Sequence, residues 1–416
     1  MGYSPEIIKL NEKYSILNGA ASTFSNGIVT SYIPLLAISV VGASNHQVGL
    51  ISSLPSLMTM IAMIPGAWWI NRLDRKKGFT AASIFAARFF IFLLLLIPFL
   101  NREWQAWILV GVVAAMGLPN AIATLSWQSF IGDLIPDERR GAFFSERNRV
   151  LTLVGLIVTF LTGFIMQFFD KHLPGPYQVV FLICFIFGLI EVFYLIKHKE
   201  IPLQRMKVET SRGLGNSLSI FKHKPYFYFL VCAILFNFGW QMAWPLFNIY
   251  QINYAHASAF WISLFTVANQ ISQMASYKWW GRSAEKWGNS VMLSVAGIGM
   301  ASAPILTILS KNLIYLTLIN LLTGIFVAGT VMLLFNQLLH VSPDHNRTSF
   351  IANYNFLIAG MGFIAPQFGV YLLEAYSMNS AMIISTVLRI VGGISFLFVV
   401  LYIDRQKLRP FKRRTA

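Results

Sequence analysis

Gly132-Asp133-Leu134-Ile135-Pro136-Asp137-Glu138-Arg139-Arg140-Gly141, with Phe143 to Asn148 behind it, is the stretch that decides the architecture, because the chain repeats it. At a constant offset of 207 residues comes His340-Val341-Ser342-Pro343-Asp344-His345-Asn346-Arg347-Thr348, with Phe350 to Asn355 behind it. Pro343 then falls on Pro136, Arg347 on Arg140, Phe350 on Phe143 and Asn355 on Asn148. A second kind of loop also occurs twice, in the same order. Gly66-Ala67-Trp68-Trp69-Ile70-Asn71-Arg72-Leu73-Asp74-Arg75-Lys76-Lys77-Gly78 is matched by Gly281-Arg282-Ser283-Ala284-Glu285-Lys286-Trp287-Gly288-Asn289, and setting Asn71 on Glu285 brings Arg72 onto Lys286. Two loop types recurring in register mark an internal duplication, which fixes an architecture more firmly than hydropathy can.

The segments around those loops are made for lipid. Hydrophobic residues fill 56% of the 416 positions and charged residues only 12%, against roughly 25% charged in a soluble domain. Apolar runs near the ~20 residues that a spanning helix needs occur at 14–41, 47–70, 79–100, 105–131, 143–168, 177–197, 225–254, 258–281, 289–310, 312–339, 348–374 and 378–403. They are long and continuous, unlike the short alternating segments of a membrane barrel, so an all-α bundle of twelve transmembrane helices is expected. The least apolar stretch, Lys197 to Lys224, carries seven Lys or Arg and separates six spans from six. The chain therefore divides into an N-terminal six-helix half at 1–198, a cytoplasmic linker at 199–224, a C-terminal six-helix half at 225–403 and a basic cytoplasmic tail at 404–416.

A net charge of +16 suits a nucleic-acid or acidic partner on its face, but its placement argues otherwise. With both termini cytoplasmic, only Arg102, Lys171 and Lys311 of the 32 Lys and Arg fall outside, and Arg88 and Arg389 lie within spans. That asymmetry is a topology signal, so no nucleic-acid partner is expected. Cys184 and Cys232 both sit inside spans, which excludes a disulfide framework. The mixed-charge start, Glu6 to Lys13, leads into a span with no cleavage pattern after it, so no removable signal peptide is expected.

These loops resemble those of the major facilitator superfamily, whose loop between the second and third helices follows a pattern close to G-x-x-x-[DE]-R-x-G-[RK]-[RK]. The second-half copy keeps Gly281, Glu285, Lys286 and Gly288, whereas the first-half copy departs, with Ala67 at the leading glycine, Asn71 at the acid and Asp74 at the second glycine. The Pro136 to Gly141 segment looks like the family's fourth-to-fifth loop. The resemblance implies a secondary active transporter working by alternating access, with its solute held at mid-membrane between the halves and the first, fourth, seventh and tenth helices lining the cavity. It also implies that the cytoplasmic charge cluster of Asn71, Arg72, Arg75, Asp133, Arg140, Glu146 and Arg149, with Glu285, Lys286 and Arg347 as second-half counterparts, gates the pathway through ion pairs made in one state and broken in the other. The alternative is that these charges only anchor helix ends at the headgroups.

The sequence supports a cavity on its own terms. Asn237, Gln241, Trp244, Asn248 and Gln251 follow spacings of four, three, four and three, which puts them on one face of the seventh helix with Trp240 bordering it. Asn18, Ser22, Ser25 and Asn26 in the first span, Asn120, Thr124, Trp127 and Gln128 in the fourth, and Asn320, Thr323, Thr330 and Gln337 in the tenth make similar faces. Such amides and hydroxyls also glue helices by hydrogen bonds. Asn26, Asn120, Thr124, Trp127, Asn237, Trp240, Gln241, Trp244 and Asn320 are the candidate solute ligands. They are uncharged, and amides with indole faces suit a sugar- or nucleoside-like solute. Ionisable residues within spans are costly and usually paired or functional. Arg88 and Glu191 fall at similar depths and are read as a structural ion pair rather than a proton relay. Arg389 has no evident acidic partner, and snorkelling, lipid binding and an anionic substrate all stay open for it.

An amphipathic drug is the alternative solute. Against it, the fifth span keeps Gly155 and Gly163 without the proline that drug antiporters place there, and the nearest approach to that motif is Gly362-x-x-Ala365-Pro366-x-x-Gly369 in the eleventh. A membrane sensor or assembly scaffold of the same fold is the second alternative. No phosphate-binding loop, nucleophile motif or metal-ligand cluster occurs, so neither an enzyme nor a cofactor or metal is expected, and His340 and His345 read as solvated loop residues. The expected partners are the lipid bilayer, a small-molecule solute and protons as the coupling ion, for a monomer in the cell (inner) membrane.

Overall fold

The computed structural model describes residues 4–70, 72–73, 75–200, 220–343 and 347–403. Twelve long helices run through them, with no strand among the described residues. They are α1 (Pro5–Leu35), α2 (Asn45–Ile70), α3 (Lys77–Leu96), α4 (Arg102–Leu134), α5 (Asp137–Met166) and α6 (Pro174–Ile196), then α7 (Lys224–Ile249), α8 (Ala259–Trp287), α9 (Asn289–Ile308), α10 (Leu313–Val341), α11 (Arg347–Ala375) and α12 (Met378–Ile403). Apart from the stretch between α6 and α7, connections are short, and each helix satisfies its own backbone, as lipid requires. Ser4 starts α1 by accepting a hydrogen bond from the Ile7 amide at 3.4 Å. α1 continues into a π-helical segment, Leu36–Val41, and α7 into another, Tyr250–Tyr254. The duplication thus reaches a backbone detail, and each of these helices also carries a proline, Pro34 or Pro245.

Eleven of the twelve helices are long and apolar enough to cross a membrane. The exception is α8, which has the length, 29 residues, but carries Asn269, Gln270, Ser272, Gln273 and Ser276 along its middle. Some of its polar groups bond within the helix, as Ser272 and Gln273 do to Asn269, and others reach a neighbour. Asn269 Nδ2 donates to the Asn320 carbonyl at 3.0 Å and Trp280 Nε1 to the Ile325 carbonyl at 2.7 Å, both on α10. Gly324 permits that approach, since a Cβ there would lie 2.2 Å from the Asn269 carbonyl oxygen.

The chain forms two compact units, Met1–Val208 with Gln251–Val267, and Glu209–Tyr250 with Ala268–Ala416. In the first, α2 packs on α4, α3 on α4 and α6, and α1 on α5 and α6. The Gln251–Val267 segment joins it through a 2.9 Å hydrogen bond between Tyr32 and Ser263, and through Phe260 edge-on to Phe160. In the second, α7 packs on α11 and α12, and α9 on α10 and α12. Those pairings repeat the first unit's with each helix shifted by six. Large apolar side chains stay exposed along the outside, among them Phe164, Ile165 and Phe398. Trp68, Trp69, Trp104, Trp107, Trp279 and Trp287 are exposed near helix ends, as interfacial aromatics are. The protein is a multi-pass membrane protein.

Candidate functional site

In the first unit the buried charges come together. Arg88 on α3 and Glu191 on α6 are each 3% exposed and pair in a bidentate fashion, Nε to Oε2 at 2.7 Å and Nη2 to Oε1 at 3.1 Å. Gly188 makes room, since a Cβ there would lie 2.7 Å from Arg88 Cγ. The pair also reaches α1: Arg88 Nη1 donates to Asn26 Oδ1 at 2.5 Å and Nη2 to Ser22 Oγ at 3.3 Å, while Asn18 donates to the Glu191 carbonyl at 2.8 Å. The predicted solute ligand Asn26 is therefore tied to the ion pair. A fully hydrogen-bonded pair of this kind is what allows two charges to stay buried.

On α4, Thr124 is exposed and donates to the Asn120 carbonyl at 2.9 Å, and Asn120 is half-buried. Trp127 is half-buried, with its indole N–H enclosed and without an acceptor among the described residues. The guanidinium of Arg147 lies over that ring, 4.3 Å from its centre. Arg147 on α5 was not among the sequence candidates. Within Phe143 to Asn148 it reads as one more cytoplasmic cation, yet it lies inside the apolar span that opens at Phe143. The repeat carried a signal: at the offset of 207, Arg147 falls on Tyr354, a charge where the other half has a phenol.

In the second unit the α7 face is occupied in part. Asn237 and Gln241 are each 4% exposed. Asn237 donates to the Ala233 carbonyl of its own helix at 2.9 Å, and Gln241 to the Ile358 carbonyl on α11 at a long 3.4 Å. Trp240 and Trp244 meet edge-to-face at 6.4 Å, the first half-buried and the second exposed. Asn320 on α10 is half-buried and donates to the Leu316 carbonyl at 2.8 Å.

Arg389, for which the sequence left three courses open, is held by the protein's own backbone. It is 1% exposed and donates to three backbone carbonyls: Gly239 from Nε at 3.2 Å, Met300 from Nη1 at 3.1 Å and Trp240 from Nη2 at 3.1 Å. Ser385 joins it on Gly239 at 2.7 Å. A carbonyl oxygen has two lone pairs, so that of Trp240 serves its helix and the guanidinium together. Arg389 thus clamps α12 to the middle of the α7 face.

The charges expected on the cytoplasmic side are dispersed where they are described. Asn71 lies outside the described residues, as do the side chains of Asp133, Arg140 and Arg347. Arg72 stacks on Trp68 of its own segment at 3.6 Å, and Lys286 lies 5.1 Å from the Trp287 ring. Arg75 and Glu285 are exposed, and Glu146 sits 4.0 Å from Arg149 one helical turn on. Three contacts there were not foreseen. Arg139 pairs with Glu12 through two 2.9 Å bonds, Asn11 exchanges two hydrogen bonds with the Lys199 backbone at 2.9 and 3.1 Å, and the Glu200 carboxylate accepts from the Lys76 and Lys77 amides at 2.6 and 3.2 Å. The last is a carboxylate on a helix N-terminus, with the dipole in its favour. His198 beside them is 1% exposed, and burial holds its pKa down to about 4, against backbone hydrogen bonds to Leu195 and Tyr194 that work the other way.

A family model described as Major Facilitator Superfamily matches residues 16–278 and 229–416. The chain belongs to the major facilitator superfamily. A comparison with curated protein sequences returns no match. Among solved structures, a mutant of the nucleoside transporter NupG is 12% identical, with a TM-score of 0.75 over 93% of this chain and 99% of that one. The D-xylose-proton symporter is 16% identical, with a TM-score of 0.68 over 94% and 97%. A bacterial homologue of the iron transporter ferroportin, in an inward-facing state, is also 16% identical, with a TM-score of 0.70 over 95% and 99%. At such identities the likeness is one of fold. Membership makes the chain a transporter by family, with a small-molecule solute as partner.

Proposed function

We propose that this superfamily member is a secondary active transporter that moves a sugar- or nucleoside-like solute by alternating access, coupled to protons, in the cell (inner) membrane with both termini cytoplasmic. The observation that carries the solute class is the α7 face, where Trp240 and Trp244 stand edge-to-face beside the amides of Asn237 and Gln241. Indole faces stack on rings and amides fix hydroxyls. The polar faces of α1 and α4, and those of α7 and α10, are the solute-binding surfaces in this reading. Two of the similar structures, a nucleoside transporter and a D-xylose-proton symporter, support the class by name. Exposed charges such as Glu285 and Arg75 bias the inward- and outward-open states. Counterflow in proteoliposomes with labelled uridine and xylose, with and without an imposed proton gradient, tests it. Exchange of one of them, quickened by the gradient, is expected, and exchange only of amphipathic cations would replace this reading with drug efflux.

A further inference from the structure

The buried cations of the protein are not equally settled. Arg88 has both oxygens of Glu191, and Arg389 has three backbone carbonyls. Arg147 has, among the described residues, one long bond, from Nε to the Ser15 carbonyl at 3.4 Å, and the face of Trp127. Among the described residues no carboxylate lies within ion-pair distance of it, and Glu191 commits both oxygens to Arg88. The fold keeps a place for this side chain: a Cβ on Gly19 of α1 would lie 2.6 Å from Arg147 Nη2. Two further polar atoms around it, Ser15 Oγ and Trp127 Nε1, are buried with no partner among the described residues.

A guanidinium within a membrane span is costly without a counter-charge, and its planar fork matches two oxygens of one anionic group. An indole N–H is a donor only, and a hydroxyl can donate as well. Every group without a partner here can therefore serve the same kind of ligand atom. We propose that Arg147, Trp127 Nε1 and Ser15 Oγ bind an anionic oxygen group, a carboxylate or a phosphate, carried by the transported solute. The occupant rests on the transport reading above. Arg147 selects for the charged end of that solute.

Thermal shift on lipid-stripped protein in neutral detergent, at fixed pH and ionic strength, tests the site with inorganic phosphate, glucuronate and glucose as probes. Phosphate and glucuronate are expected to raise the melting temperature of the wild type above its value in chloride, and glucuronate more than neutral glucose. Arg147→Gln should weaken the response about tenfold or more, as loss of a charged hydrogen-bond donor does. Arg147→Lys keeps the charge without the fork and should retain part of the response. Trp127→Phe keeps the ring without the donor and should weaken binding several-fold, so the proposal stands or falls even if Arg147→Gln does not fold. An anion response absent from the wild type, or equal in wild type and Arg147→Gln, overturns the site. Nanodiscs of phosphatidylcholine with and without phosphatidylglycerol distinguish the source: stabilisation through Arg147 by that lipid, and not by soluble phosphate, overturns the solute as occupant. Counterflow of uridine or xylose unchanged in Arg147→Gln, with no anion effect, sinks this inference and leaves the transport reading standing. Anion binding through Arg147 in a protein that moves no solute sinks the transport reading and the solute occupant together.

Discussion

The α3–α6 pair in the first unit and the α9–α12 pair in the second occupy equivalent places in the duplicated fold, and each buries an arginine by a different chemistry. Arg88 depends on one carboxylate, Glu191, whereas Arg389 spreads its charge over the carbonyls of Gly239, Trp240 and Met300. The difference lies in what failure leaves behind. Removing Glu191 strands a full charge in a dry interior, whereas removing Arg389 strands only neutral carbonyls, among them that of Met300, whose helical donor is missing at Pro304.

That contrast can be broken by mutation. Glu191→Ala should cost about 3–5 kcal/mol, the usual penalty for stranding half of a buried pair, while the double variant Arg88→Leu/Glu191→Leu should recover most of it. Chemical unfolding of the purified variants checks this, and a double variant no better than the single one would show that the pair is not a self-contained unit. Arg389→Leu should cost less, about 1–3 kcal/mol. A larger loss there than in Glu191→Ala would reverse the comparison.

A pH dependence is expected of the first unit where His198 follows α6, and it sharpens the contrast. The pKa of His198 is held below its ordinary 6.5, down to about 4, chiefly by burial. The unfolded chain therefore binds the proton first on acidification. The contribution of neutral His198 is whole above pH 6.5 and drains as the pH falls towards 4, a loss of up to about 3 kcal/mol at the low end. His198→Leu should flatten the melting temperature between those limits. An unchanged slope would place the acid sensitivity elsewhere.

Gln241→Ala should show the smallest stability effect. Its bond to Ile358 is long, 3.4 Å, so stability should fall by no more than about 1 kcal/mol, while affinity for a solute that uses the amide falls roughly tenfold. Melting temperature and solute affinity measured on one preparation separate the two. A large loss of stability with affinity intact would make Gln241 helix glue.

The all-α membrane architecture, the duplication and the family could be read from the sequence, because lipid demands long apolar runs and the loop motifs return at a fixed offset. The depth match of Arg88 with Glu191 was also legible, since both lie within spans and acids are scarce there. The reach of that pair to Asn26 was not, because it depends on which faces of α1 and α3 turn toward each other. Spacing put Asn237 and Gln241 on one face, but only packing showed that α7 and α11 already draw on their amides. Arg389 was visible as a cation without an acid, and its answer lay in backbone carbonyls, which every residue has and no motif marks. Arg147 was hidden for a related reason. Whether a cation near a span end reaches water or turns onto Trp127 and Gly19 is set by the tilt and rotation of α5, and these come from contacts between residues far apart in the chain. The sequence by itself determined which segments enter the membrane and how often the pattern repeats, because those properties are local and periodic. Tertiary structure alone decided which buried charges are satisfied, because a hydrogen bond needs its partner's position to within a few tenths of an ångström.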